Sequence, residues 1–430
     1  MHIALQILHG IWAYAGWILA VLAFLASTIV ARSAWSFWRE EYYKSTGKLL
    51  PWVYLEIKIP REVLKGPKAM EQFFAALAPL GNWPASFAKK WWDGEVPRWH
   101  TVDIIGRDNQ VRIYMRVSSK ISAAIEGLLY AAYPDIEIFE VEDPLPKEFP
   151  ATYDELSAQG YDIFGNELYQ TKEQFISIRT YSEFEQEQGD EKGRIIDPFS
   201  VLLELMGGLQ PTEVLLIQFI LIPTSGRTPH IPHFRKHAKH MLEGLQNTTQ
   251  EIGKDKEGKP QYRFRFRTPA EEAVIKRIED KLEKSIFETT IRYMYISPKE
   301  TYNYNVGYRG IQTYFNQFQH DRQSLERNLA IMTKAEWYYW PYIFPTTRLY
   351  WRRKNFYEKH MSRFVPEETF AGKLYNSHFW ALAFGHKPML LSTEEVATLF
   401  HIPTNVVLTQ STFERIESKR LAPPTMLPTE

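Results

Sequence analysis

Pro51–Ile59 reads PWVYLEIKI. Val53, Leu55, Ile57 and Ile59 alternate with Tyr54, Glu56 and Lys58, the period-two pattern of a strand with one face in a core. Downstream, Gly66-Pro67 opens a helix with proline at its first position. Ala69, Met70, Phe73, Phe74, Leu77 and Leu80 recur there at helical spacing and form one apolar face. A Trp-rich connection passes through Trp83, Trp91 and Trp92. Trp99 to Ile105 predicts a second strand and Arg107-Asp108-Asn109 a turn. Val111, Ile113, Met115 and Val117 alternate with Arg112, Tyr114 and Arg116 in a third strand. Lys120 to Tyr133 reads as a helix ended by Pro134, and Ile136 to Val141 as a fourth strand. The order β-α-β-β-α-β is the ferredoxin-like split pattern, two helices on one face of a four-stranded sheet.

Upstream of this unit, Ile11–Ala31, IWAYAGWILAVLAFLASTIVA, carries no charged residue. As a helix it spans roughly 30 Å, the hydrocarbon thickness of a bilayer, and a helix satisfies every backbone polar group within itself. Arg32, Arg39, Lys44 and Lys48 follow it, against only the N-terminus, His2 and His9 before it. This asymmetry predicts a single pass through the cytoplasmic (inner) membrane, N-terminus outside and the bulk of the chain cytoplasmic. Trp35, Phe37, Trp38, Tyr42 and Tyr43 suit an interfacial aromatic belt, with membrane lipid as partner. A cleaved signal peptide would need a basic leader and a short apolar core, and neither is present.

The 430 residues carry 51 basic and 51 acidic side chains, a balance that argues against a general nucleic-acid coat. With no cysteine, disulfides, thiolate metal sites and cysteine nucleophiles are excluded together. About 380 residues beyond the apolar stretch suffice for two or three packed domains.

After a proline-bearing linker at 144–170, the pattern restarts. Phe175 to Tyr181 predicts a strand. Asp197-Pro198 caps a helix to Met206, ended by Gly207-Gly208. Glu213 to Ile222, EVLLIQFILI, is a strand buried on both faces. A helical insertion at about 229–260 precedes a strand at Tyr262 to Phe266. Thr268-Pro269-Ala270-Glu271 is a capping box opening the next helix, and Phe287 to Ile296 closes the unit. The expected organisation is therefore an α+β chain: an anchor and interfacial segment at 1–48, ferredoxin-like unit 1 at 49–143, the linker, unit 2 at 171–298, a helical, aromatic-rich region at 299–388, and a short capped helix with a proline-rich tail at 389–430. Two such units suggest duplication.

His233, His237 and His240 share a helix face and are weak metal candidates; Arg235, Lys236 and Lys239 on the same helix oppose a cation. Gly253 to Pro260, GKDKEGKP, imitates a phosphate-binding loop. Pro260 replaces the magnesium-binding hydroxyl, and the flanking elements are reversed. Arg263, Arg265 and Arg267 alternate with Tyr262, Phe264 and Phe266, a face suited to phosphate or partner contact. Arg352 and Arg353 belong to the aromatic, basic stretch Trp337 to Tyr357, which suits a membrane interface, its own domain or a partner. No catalytic motif is present, and the residues imply no cofactor.

Several stretches carry a resemblance. They are YLEIKIPREVLKGPKAMEQFFAAL, VRIYMRV with IEGLLYAAYPDIEIFEVED, DPFSVLLELMGGLQPTEVLLIQFILIP, TPAEEAVIKRIEDKLEKSIFETTIRYMYI, and LLSTEEVATLFHIP with ESKRLAPPTMLP. Together they resemble the membrane-anchored N-terminal region, a domain of unknown function, of conjugation-type, type IV secretion ATPases of candidate-phyla bacteria. The resemblance covers the anchor, most of 52–298, and 389–428. It implies a proline-rich tail leading to a DNA-translocating ATPase domain of the HerA/FtsK kind. Here the sequence stops at Glu430, without a Walker A or Walker B motif.

The expectation is thus a non-enzymatic scaffold, oligomeric within a complex, that positions such an ATPase supplied by another chain. Pro423, Pro424 and Pro428 would form the contact. The second expectation is a membrane-tethered module that guides DNA to the motor through the arginine face.

Overall fold

A computed structural model describes residues 2–403, apart from short breaks and the segments 189–196, 255–259, 337–341 and 366–387. The apolar stretch lies in one uninterrupted helix, α1 (His2–Thr46). The alternating stretch after it forms β1 (Trp52–Lys58), which buries Leu55 and Ile57. Helix α2 (Pro67–Leu77) buries Met70, Phe73, Phe74 and Leu77, an i, i+3, i+4, i+7 stripe. β2 (His100–Arg107) and β3 (Gln110–Ser118) form a hairpin. Asp108 and Asn109 at its tip have φ of 53° and 57°, the left-handed pair that a tight two-residue turn requires. α3 (Ser122–Ala132) and β4 (Glu137–Val141) complete the first half.

The stretch 144–170 is no linker. It contains α4 (Pro144–Glu148), α5 (Tyr153–Ala158) and the ten-residue β5 (Tyr161–Gln170). Buried on both faces, β5 lacks a clean alternation. Its polar Asn166 and Glu167 are buried among apolar neighbours. Residues 175–180 form no strand. Their N–H groups bond elsewhere: Ile178 to the Glu395 carboxylate at 3.0 Å and Arg179 to the Phe318 carbonyl at 3.0 Å. α6 (Tyr181–Gln188) and α7 (Phe199–Gly207) follow, then β6 (Val214–Pro223), buried along its whole length.

The insertion is α8 (His230–Gln246) and a separate ribbon of β7 (Thr249–Lys254) and β8 (Pro260–Phe264). The strand expected at 262–266 as an inner member of unit 2 is therefore β8, which pairs with β7 alone. α9 (Pro269–Glu283) starts at the expected capping box, in which Thr268 and Glu271 each accept from the other's backbone. β9 (Ile286–Pro298), α10 (Ile311–Asn316), β10 (Leu325–Arg327), α11 (Pro345–Met361), β11 (Met389–Ser392) and α12 (Thr393–Leu399) complete the described chain.

Nine strands make one antiparallel sheet in the order β10-β5-β9-β6-β2-β3-β1-β4, with β11 added beside β9. The order is palindromic. From the central β6–β2 pair outward, each half places its own second, third, first and fourth strands. β2, β3, β1 and β4 mirror β6, β9, β5 and β10. The two halves join through eight residue pairs, from His100↔Leu221 to Arg107↔Val214. The third strand of the second half is thus β9, with the α8-to-α9 segment inserted before it.

One sheet face carries the main core, where α2, α3, α7, α10 and α12 pack on Val102, Ile113, Ile217 and Tyr293. The other face is covered by α4, α5 and α11, through Leu145, Tyr153, Phe356 and Tyr357 on Ile105, Leu216 and Met294.

Candidate functional site

Three regions concentrate chemistry. The first is the contact between α1 and the body. Tyr14–Trp35 is long and apolar enough to cross a membrane, and none of it is buried. Trp35 and Trp38 are exposed, with ring centroids 5.4 Å apart. Tyr42 and Tyr43 continue the helix backbone. The Arg32 guanidinium lies 3.2 Å from the centroid of the Trp92 ring, on the tip of the Trp-rich connection. That connection is held at both ends. Trp83 Nε1 donates to the Pro223 carbonyl at 2.6 Å, and Val96 and Trp99 are buried against Ile220, Ile222 and Val365.

The second region is an ionic layer on the α11 face. Arg363 is 1% exposed and has φ of 53° at the end of α11. Its Nε donates to Asp103 on β2 at 2.7 Å, and its two Nη donate to Asp143 at 2.8 and 2.9 Å. Burial depresses the guanidinium pKa, but Asp103 and Asp143 outweigh it and the net shift is upward. At Asp143 burial raises the pKa and Arg363 lowers it further, leaving the carboxyl below its ordinary value. Across the seam, Arg292 on β9 donates to Glu167 on β5 at 3.0 Å and to the Phe364 carbonyl at 2.6 Å. Gln218 on β6 bridges Asp103 and the His360 carbonyl at 2.9 and 3.2 Å. Burial, then Arg292 and Arg363, push the His360 imidazole well below its ordinary pKa, so it is neutral. The end of α11 is thereby fastened to both halves of the sheet. Nearby, Arg116 lies over Trp52 at 4.2 Å, and burial lowers its pKa to about 10.

The third is a cleft of about 410 Å³ lined by Ser177, Thr180, Glu183, Arg277, Lys281 and Glu394. Arg277 is paired with Glu183 at 2.9 Å. Lys281 and Glu395 form a fully buried pair at 2.9 Å. Lys284 is paired with Glu394 and, at 3.0 Å, with Glu71. These carboxylates and cations answer one another across α9, α6, α12 and α2, which is what a packed ionic joint does.

The sequence candidates fall in different places. Arg352 is buried and donates to the carbonyls of Leu329, Ala330, Met332 and Lys334, clamping the loop after β10. Arg353 pairs with Asp162 at 2.7 Å. Residues 345–361 thus pack on their own sheet. Arg267 is exposed and donates to the Gln246 carbonyl at 2.7 Å. Arg263 lies on β8, while Arg265 is outside the described residues. His233, His237 and His240 are exposed on α8. Rings 233 and 237 are 5.6 Å apart, and His237 Nδ1 is 3.9 Å from Glu173. Among the described residues no group of three or more His, Cys, Asp or Glu side chains could hold a metal ion. Pro423, Pro424 and Pro428 lie outside the described residues. Sequence reading missed Arg363, Asp103, Arg292 and Glu167. The available signal was a charge inside an apolar strand, as in VDII and TIRYMY, which demands a buried partner.

The geometry defines an α+β protein with one N-terminal apolar helix, of a length that fits a membrane anchor or a signal sequence. No family model matches the chain, and neither does any curated protein.

Proposed function

We propose that the protein is a membrane-tethered, non-enzymatic scaffold that positions a DNA-translocating ATPase of the HerA/FtsK kind at the cytoplasmic membrane, in a conjugation or type IV secretion process. The observation that carries the tether is the span Tyr14–Trp35, no residue of which is buried, within one continuous helix to Thr46. An exposed apolar surface of that length is tolerated in lipid and not in water. The cationic flank at Arg32 and Arg39 supports a cytoplasmic body. In this reading the two sheet halves are ferredoxin-like units, a proposal supported by the mirrored strand order, and they form a rigid platform. The identity of the ATPase partner rests on the family resemblance.

The test is capture of the full-length chain from native membranes. A Walker-type ATPase should co-purify, and deleting Ala422–Glu430 should release it. Its absence from the full-length eluate refutes the scaffold reading, and ATP turnover by the purified chain alone refutes the non-enzymatic part. One observation favours a second reading, DNA guidance: Phe266 is 93% exposed beside Arg267. That reading requires salt-dependent retention of single- or double-stranded DNA, weakened by Arg267→Ala.

A further inference from the structure

We infer that the tip of the Trp-rich connection, residues 86–94, is a second membrane contact that lies in the lipid interface beside the anchor; this rests on the tether reading above. The loop is built to present its tip. Trp83 fixes one end and Val96 with Trp99 the other. Between them a single wide turn, Lys89–Asp93, is closed by Gly94 at φ 67°. At that tip Phe87 is 77% exposed and Trp92 65% exposed.

The height of the tip follows from one contact. Arg32 lies within the last turn of the Tyr14–Trp35 span and is stacked on Trp92 at 3.2 Å. An arginine at that depth extends its guanidinium to the headgroups, so the ring stacked on it is at headgroup level too. Trp and Phe at that level gain an apolar environment while their polar edges stay wet. Lys89 on the same turn lies 3.9 Å from Glu95, so the tip meets the headgroup layer through its aromatic rings and not through a cationic face. A helix alone leaves the body free to swing about the end of the anchor. A second contact on a loop held by the β6 end fixes the orientation of the sheet relative to the membrane.

The occupant is therefore a bilayer surface. Because the chain has no cysteine, Phe87→Cys and Leu22→Cys each give one spin-label site in the full-length protein. Both are reconstituted in nanodiscs of phosphatidylcholine and phosphatidylglycerol. Collision rates are then compared for oxygen, which partitions into lipid, and for an aqueous nickel chelate. The label at position 22 should be reached by oxygen and shielded from nickel. The label at position 87 should show intermediate, interface-level values that shift toward water when the anchor is removed from lipid into detergent. Full nickel access at 87 with lipid values at 22 overturns the second contact and leaves the tether standing. Aqueous values at both positions overturn the tether and the second contact together. As Phe87 is exposed, the substitution leaves the fold intact, which near-ultraviolet circular dichroism verifies.

Discussion

Replacing Arg363 by methionine removes the cation that joins α11 to β2 and to the end of β4. The three hydrogen bonds it donates differ in weight. The Asp103 side chain is 4% exposed and would be left as a buried carboxylate that keeps its hydrogen bond from Gln218 and the longer-range attraction of Arg116. Stranding a buried charge this way costs about 3 kcal/mol or more. Asp143 is 22% exposed at its side chain and regains water, so its loss resembles that of a surface pair, about 1 kcal/mol. The sum for Arg363→Met is about 4 kcal/mol. The measurement is equilibrium urea unfolding of the detergent-solubilised chain, followed by tryptophan fluorescence. The Asp103→Asn change supplies the decisive control. In the Arg363→Met background it removes the stranded charge, and the double variant should be more stable than Arg363→Met alone. The reasoning is refuted if Arg363→Met lies within about 1 kcal/mol of wild type, or if Asp103→Asn adds to the damage instead of relieving it.

Glu395→Gln breaks the fully buried Lys281 pair while keeping the capping geometry of α12, and should cost about 3–5 kcal/mol by the same assay. Gly165→Ala puts a Cβ 2.2 Å from Phe356 Cε1, so overpacking should cost about 1–3 kcal/mol and raise hydrogen exchange along α11. Two groups set a pH dependence. At His401 burial lowers the pKa, but Asp197 at 2.9 Å raises it further, for a net upward shift. Its contribution is complete below the unfolded value of about 6.5 and fades as pH rises through the folded value. The stability gap between wild type and His401→Gln should therefore close on the alkaline side. Asp143 behaves oppositely. Its lowered pKa contributes above the unfolded value of about 3.9 and is lost as pH falls through the folded one. The gap to Asp143→Asn should close in acid.

The elements that sequence reading located are those whose faces differ. β1 and β3 alternate because one side meets the main core and the other meets a mixed layer of Tyr54, Arg112 and Arg116. The capping boxes at Thr268 and Ser392 were legible because their partners are local, three residues away. What was missed depends on distant partners. β5 was read as part of a linker because Pro144, Pro146, Pro150 and Gly160 precede it, and the Arg292 that pairs with its buried Glu167 lies 125 residues away. Residues 175–180 looked like a strand because Phe175, Ile176 and Ile178 are buried. The groups that take up their N–H bonds lie on α12 and after α10. Arg363 is surface-like in sequence and is 1% exposed in the fold. The ionic layer was illegible for the same reason, since opposite charges brought together by folding leave no spacing to read.

The mirrored sheet has a further consequence. Its central β6–β2 seam has the layout of an interface between two like subunits, yet both sides are encoded in one chain. Such a seam forms at a fixed one-to-one ratio, does not dissociate on dilution, and is closed by an intramolecular effective concentration. It also frees the halves from having to remain alike. The second half carries the α8-to-α9 insertion and the added β11, while the first carries α1 and the Trp-rich connection. A true homodimer would duplicate each of these features and display them twice. Two halves joined in one chain can each bear a different addition, displayed once.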